Sequence, residues 1–174
     1  MGFFNRTTPH LQFTEKEESL GRERLRNIGV PEGALFVCIY SRDSTYLSSA
    51  IPSGNWRYHD HRDADIQSYM QAAQQLSARG YYVLRMSAAV SEPFTTNDPR
   101  IIDYAATHRD EFMDVYLSAN CRLFLGPAAG IYAVARIFRR PIACVNYIPL
   151  SNAATWSGQG LFIPKTLRCA AAIS

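Results

Sequence analysis

The chain has 174 residues, 47% of them apolar and 19% charged, the composition of a single globular domain of the water-soluble type. A net charge of +3 is too weak to point to nucleic acid as a partner, and no apolar run reaches the roughly eighteen residues of a membrane span. No apolar stretch near the N-terminus resembles a secretory leader, and the four cysteines include no C-x-x-C pair, so a cytoplasmic protein with reduced core thiols is expected.

Residues 1–13 read as a loose lead-in. Thr14-Glu15-Lys16-Glu17 has the spacing of a capping box, with Thr14 as N-cap and Glu17 reaching back, and opens a helix that Gly29 and Pro31 stop. Ala34 to Tyr40 is a continuous apolar run and predicts a buried strand. Residues 41–62 lack periodicity. A second helix, capped by Asp63, is predicted to Ala78, with Ile66, Tyr69, Met70, Ala73 and Leu76 on one face. Tyr81 to Met86 predicts the next strand, 87–100 another irregular stretch, and Ile101-Ile102 a short strand. Arg109 to Ser118 predicts a helix with Phe112, Val115 and Tyr116 inward.

The segment from Leu123 to Asn146 then reads as strand, Gly turn, helix, strand. Gly126 and Gly130 bracket the turn, and the helix opens at about Ala129 to Ile131 without a capping side chain. Unpaired amides and the helix dipole at such a start attract anions, and a residue without Cβ lets a phosphate approach the backbone. Leu161-Phe162-Ile163 predicts a last short strand. No internal repeat is visible.

Strands alternating with helices predict an α/β domain with three layers, helices on both faces of a mostly parallel sheet. Ligands of such sheets bind outside the C-terminal edge of the strands. That rule selects the loops 41–62, 87–100, 103–108, 126–130 and 146–157. Arg42 follows the first strand and Arg85 lies near the end of the second. Either could bind a diphosphate or carboxylate, and Arg42 could instead pair with Asp43 on the surface. Asp103, ending the third strand, could hold sugar hydroxyls or cap the segment after it. Asn146, near the end of the fifth, is open in the same way.

The stretch Trp56 to Asp65 packs two histidines, three carboxylates and two arginines into ten residues. His59 and His61 have H-x-H spacing, but neither His10 nor His108 supplies an obvious third ligand, so no metal is expected and the loop reads as polar substrate contacts. No G-x-G-x-x-G, P-loop or G-x-S-x-G is present, which argues against a nicotinamide enzyme. The arginine groups at 22–26 and 136–140 read as solvated helix faces or domain contacts rather than a nucleic-acid patch.

In order along the chain, Ser41-Arg42-Asp43, Tyr58 to Asp65, Gly80 to Met86, Ile102-Asp103-Tyr104-Ala105, Phe112 to Cys121, the Gly126–Gly130 turn and Arg140-Pro141-Ile142 to Pro149 resemble a bacterial glycosyltransferase family. The resemblance covers roughly residues 10 to 165. The Gly turn, its helix and the following Pro-led strand are also similar to the donor-binding half of heptosyltransferases and other GT-B enzymes. This implies a Rossmann-like domain over 14–165, equivalent to a GT-B C-terminal half, with 166–174 as a tail. The substrate implied is a nucleotide-diphosphate sugar, bound without metal or separate cofactor for transfer into a surface glycan or glycoconjugate.

By the resemblance, Arg42 and Arg85 act on the diphosphate with the amides of Ala129, Gly130 and Ile131, and Asp43, His61, Asp103, Gly126 and Asn146 complete the substrate site. Ala129 departs from the pattern, which has Ser or Thr there. The second domain of such an enzyme, which carries the acceptor site, has no counterpart in this stretch. An apolar docking patch and self-association are therefore expected. A non-catalytic nucleotide- or partner-binding domain and a GT-B-fold nucleotide-sugar epimerase are the alternatives.

Overall fold

A computed structural model describes residues 7–46, 51–153 and 160–166. The helices are α1 (Glu15–Asn27), α2 (Met70–Ala78), α3 (Tyr104–Thr107), α4 (Glu111–Asn120) and α5 (Gly130–Ile137). The strands are β1 (Phe36–Tyr40), β2 (Tyr82–Met86), β3 (Ile101–Ile102), β4 (Leu123–Gly126), β5 (Ile142–Tyr147) and β6 (Gly160–Pro164). They form one six-stranded sheet in the order β3-β2-β1-β4-β5-β6, every pair parallel. This is a Rossmann-like three-layer α/β fold, and its strand order reverses between β1 and β4.

Strand alternation divides the core in two. Phe36, Cys38, Leu84, Met86, Phe124, Ile142 and Cys144 face the layer of α1, α3, α4 and α5, against Met113, Tyr116, Leu117, Tyr132 and Ala135. Val37, Ile39, Val83 and Leu125 face the other layer, against Ile66, Tyr69 and Ala73 of α2 and the 3₁₀ turn before it. Full burial of each large apolar side chain contributes about 1.5–3 kcal/mol, so these two cores hold the helices to the sheet. Cys38, Cys121 and Cys144 are free thiols inside the core; Cys169 lies outside the described residues.

The capping box at α1 forms: Thr14 Oγ1 accepts from the Glu17 amide at 3.3 Å while Glu17 accepts from the Thr14 amide at 2.7 Å. Other local expectations need correction. Asp65, not Asp63, caps the turn ahead of α2, through the Gln67 amide at 2.7 Å, because Asp63 is held by Arg42. The end of the lead-in is anchored: the Phe13 ring stacks on Phe138 at 5.5 Å and packs on Tyr116 at 5.2 Å. Val115 faces outward, because the buried stripe of α4 runs through Met113, Tyr116 and Leu117. On β6, Leu161 and Ile163 remain 59% and 50% exposed. No helix among the described residues is long and apolar enough to cross a membrane.

Candidate functional site

The strand reversal brings the ends of β1 and β4 together, and β4 can finish there only with glycine. A Cβ on Gly126 would run into the carbonyl oxygen of Tyr40, the last residue of β1. After Gly126 the chain turns through Pro127-Ala128 to Ala129, which is extended (φ −152°, ψ 174°) and gives α5 no side-chain cap. Helix α5 begins at Gly130, where a Cβ would meet no protein atom within 4 Å. Packing therefore requires glycine at position 126 and not at position 130.

This bare helix start borders a cleft of about 630 Å³ at the C-terminal edge of the sheet. Ala128 to Ile131 form one wall, and Tyr40, Arg42, His59 and Arg62 another; Val115 and Val134 extend an apolar end between α4 and α5. Arg109, Glu111 and Asp114 complete the rim. The site thus combines cations, helix amides and an apolar annex in one concavity, the features of a pocket for a phosphorylated organic molecule.

The arginines are positioned by the loop after β1. Arg42 is 8% exposed and its Nη1 donates to the His59 carbonyl at 3.1 Å and to the Asp63 carboxylate. The Ala64 amide donates to the Arg42 carbonyl at 2.9 Å and Ser41 Oγ donates to the Ala64 carbonyl, which straps the 3₁₀ turn Arg57–Arg62 to the end of β1. Arg62 in turn donates through Nη2 to the Ala128 carbonyl at 3.2 Å and ties that turn to the Gly turn. The Arg42 pairing is with Asp63, not with Asp43; Asp43 accepts from the Thr45 amide at 2.9 Å and from Ser91 Oγ at 3.2 Å.

That crowding sets the electrostatics. Partial desolvation and the neighbouring Arg42, Arg62 and His61 hold the His59 imidazole below its ordinary pKa. Burial pushes the Tyr40 phenol up to about 12, so it is a neutral donor at physiological pH. Burial also raises the Asp63 carboxyl, and Arg42 pulls it the other way. Arg109 pairs with Asp114 at 3.1 Å and so brings a neutralised rather than a free cation.

Of the residues the sequence singles out, Arg42, Ala129, Gly130 and Ile131 share this cleft. Arg85 and Asp43 do not: they line a second cavity of about 350 Å³ on the opposite side of the same edge. Arg85 is 2% exposed and ion-paired with Asp103 at 3.2 Å. Asp103 also accepts from the Phe94 amide at 2.7 Å and caps α3 through the Ala106 amide, so it serves the fold. His61 is exposed and lines neither cavity; its neighbour His59 takes the place in the cleft. Asn146 holds a left-handed bend in β5 (φ 53°), a conformation asparagine tolerates, and donates to the Tyr69 hydroxyl at 3.2 Å.

Tyr40 is a cleft residue that the sequence does not single out, although it is readable, since it shares its side of β1 with Cys38 and Arg42. His59 and Arg62 lie in the loop read as polar substrate contacts, but nothing in that aperiodic stretch marks these two as the ones that enter the cleft. No family model matches this chain, and no curated protein and no solved structure matches it either, so these comparisons identify no glycosyltransferase family.

Proposed function

We propose that the cleft between β1 and β4 binds the diphosphate of a nucleotide sugar, and that the chain is the donor-binding part of a glycosyltransferase. The observation that carries this reading is the meeting of the uncapped α5 amides with Arg42 and Arg62 across one cleft at the strand reversal. The amides and guanidiniums present donors to the oxygens of a diphosphate, and the apolar end at Val115, Ile131 and Val134 is suited to the nucleoside.

In glycosyl transfer the bond from the anomeric carbon to the diphosphate breaks as the bond to the acceptor oxygen forms, and negative charge grows on the diphosphate. Donors fixed before the reaction stabilise that charge without reorganising. Among the described residues, Arg42 is held by Asp63 and the His59 carbonyl through Nη1, which leaves its remaining N–H groups for a ligand. Arg62 is anchored on the Ala128 carbonyl, beside the helix start. The acceptor side of the reaction would come from a second domain, as the resemblance implies.

The test is calorimetric titration with UDP, GDP and their sugar conjugates, alongside the corresponding nucleosides. Binding is expected for the diphosphates and not for the nucleosides, and Gly130→Val should abolish it while leaving the fold intact. Equal binding by Gly130→Val, or none by the parent protein, would remove the site. Consumption of donor with acceptor, isomerisation without acceptor, or neither separates the transferase from the epimerase and from the binding module.

A further inference from the structure

The two edges of the sheet are built differently. At one, β3 is two residues long and is flanked by Arg100 and Asp103. Short edge strands and charges are the usual means by which proteins keep a sheet from pairing with another chain. At the other, β6 runs for five residues, Gly160-Leu161-Phe162-Ile163-Pro164, with no charged side chain. Lys165, the next residue, is turned onto its own chain and donates through Nζ to the Asp63 carbonyl. Among the described residues, β6 pairs with β5 alone.

The backbone groups of β6 divide by position. The Lys165 amide donates to the Tyr147 carbonyl at 3.2 Å, so Leu161, Ile163 and Lys165 spend their N–H and C=O groups on β5. The extra residue of the bulge between Cys144 and Tyr147 lies in β5, and β6 alternates without interruption. Gly160, Phe162 and Pro164 therefore aim their backbone groups away from the sheet. The side chains alternate between the faces. Phe162 packs edge to face on Tyr147 at 5.3 Å, on the side of the first core. Leu161 lies beside Ala143 on the other face, where Leu161 and Ile163 remain 59% and 50% exposed.

This edge fits an antiparallel strand with a central aromatic residue between two aliphatic ones, and β6 is itself such a strand. We propose that β6 is a self-association edge, at which two copies of the chain pair their β6 strands antiparallel about a two-fold axis through Phe162. In that register each Phe162 exchanges both backbone bonds with its counterpart, and the Gly160 amide meets the Pro164 carbonyl at either end. The donor that proline lacks falls at the end of the strand, where its loss costs least. Leu161 of one copy stands opposite Ile163 of the other, so the exposed aliphatic side chains cover each other. No like charges are brought together. The contact is isologous and closes at two copies instead of propagating. Antiparallel pairing points the C-terminal edges of the two sheets in opposite directions, so the two clefts open to opposite ends of the assembly. The pairing does not rest on the diphosphate reading of those clefts.

Sedimentation velocity on the full chain over a concentration series tests it. The parent should pass from monomer to dimer with no larger species. Leu161→Glu with Ile163→Glu sets like charges directly opposite each other in place of apolar contacts and should raise the dimer dissociation constant about tenfold or more. Both side chains are exposed, so the melting temperature of that variant should hardly change. Leu161→Lys with Ile163→Glu sets opposite charges in the same places and should restore the dimer, more weakly at high salt. Only the antiparallel register centred on Phe162 puts position 161 opposite position 163. The proposal is overturned if the parent stays monomeric throughout or forms an open series of larger species. Dimerisation of the double-Glu variant equal to that of the parent would overturn it too, since another surface is then used. A Lys–Glu variant as dissociated as the double-Glu one would equally overturn it, by removing the register.

Discussion

Arg42, two residues beyond β1, and Arg85, on the neighbouring parallel strand β2, lie at the same edge of the sheet, both almost fully buried, both paired with an aspartate. In sequence they look alike. In the fold they part, because side chains on successive residues of an extended chain leave on opposite faces. Arg42, in step with Cys38 and Tyr40, reaches the face where α5 starts and lines the cleft. Arg85, in step with Val83, reaches the other face and is enclosed by Asp103 and the Glu92 carbonyl. An arginine at a strand end is a ligand-binding signal only once its face is known.

The comparison breaks most sharply at Arg85. Replacing it with methionine keeps the volume but leaves Asp103 buried without its cation, and breaking such a pair costs roughly 3–5 kcal/mol. Chemical denaturation should show that loss, while calorimetry on the folded protein gives diphosphate affinity close to that of the parent. A stable Arg85→Met protein with impaired diphosphate binding would mean that the two arginines act on one ligand after all.

Removal of Arg62 should have the reverse signature. Its side chain donates to the Ala128 carbonyl and is partly exposed, so Arg62→Ala should shift the melting temperature little. Affinity for a diphosphate should fall about tenfold or more, the loss of a charge-assisted hydrogen bond of roughly 1.5–3 kcal/mol. Arg42→Ala should lose as much affinity and some stability as well, since it also frees Asp63. Unchanged affinity in both variants would refute the cleft as the diphosphate site.

How much of this is legible in the chain depends on where periodicity exists. The strands are apolar runs and α2 carries its buried stripe every three or four residues, so the layers and the α5 start can be read from the chain. The facing of Arg42 is also readable, by counting along β1. The enclosure of Arg85 is not, because it depends on Asp103 and on the loop of residues 87–100, which carries no repeat. His59 and Arg62 are fixed by the Ala64–Arg42 and Arg62–Ala128 hydrogen bonds between segments distant in sequence, and no local pattern announces such bonds. Position alone suggests Asp63 as a helix cap, and a partner 21 residues away draws it elsewhere.

A smaller effect is expected at position 129. Ala129 is the N-cap of α5 and offers no side-chain acceptor. Serine there supplies a hydroxyl that can cap a free amide or donate to a phosphate oxygen. Capping alone is worth about 1 kcal/mol, so Ala129→Ser should raise the thermal stability modestly. If the ligand sits on this helix start, nucleotide-diphosphate affinity should rise by a few-fold or less, measured by titration. A marked loss of affinity would show that the hydroxyl competes with the ligand for the amides and that the seat is built differently from the proposal.

The smallest expected effect is the pH dependence of binding in the cleft. His59 lies in the cleft with Arg42, Arg62, His61 and Asp63 around it, and its imidazole is held below the ordinary histidine pKa by partial desolvation and by those cations. A bound diphosphate adds negative charge and favours the imidazolium, so the complex takes up a proton. Affinity for a nucleotide sugar should therefore rise as pH falls from about 8 to about 5, levelling off once His59 is protonated in both states. A nucleotide sugar is the right probe because its diphosphate diester does not itself titrate in that range. The sign for stability is opposite: a histidine whose folded pKa is lowered contributes stability above its ordinary pKa and loses it as the pH falls. His59→Gln should flatten the pH dependence of binding. If the slope persists in that variant, the proton goes to Asp63, whose raised carboxyl would release Arg42 to the ligand on protonation.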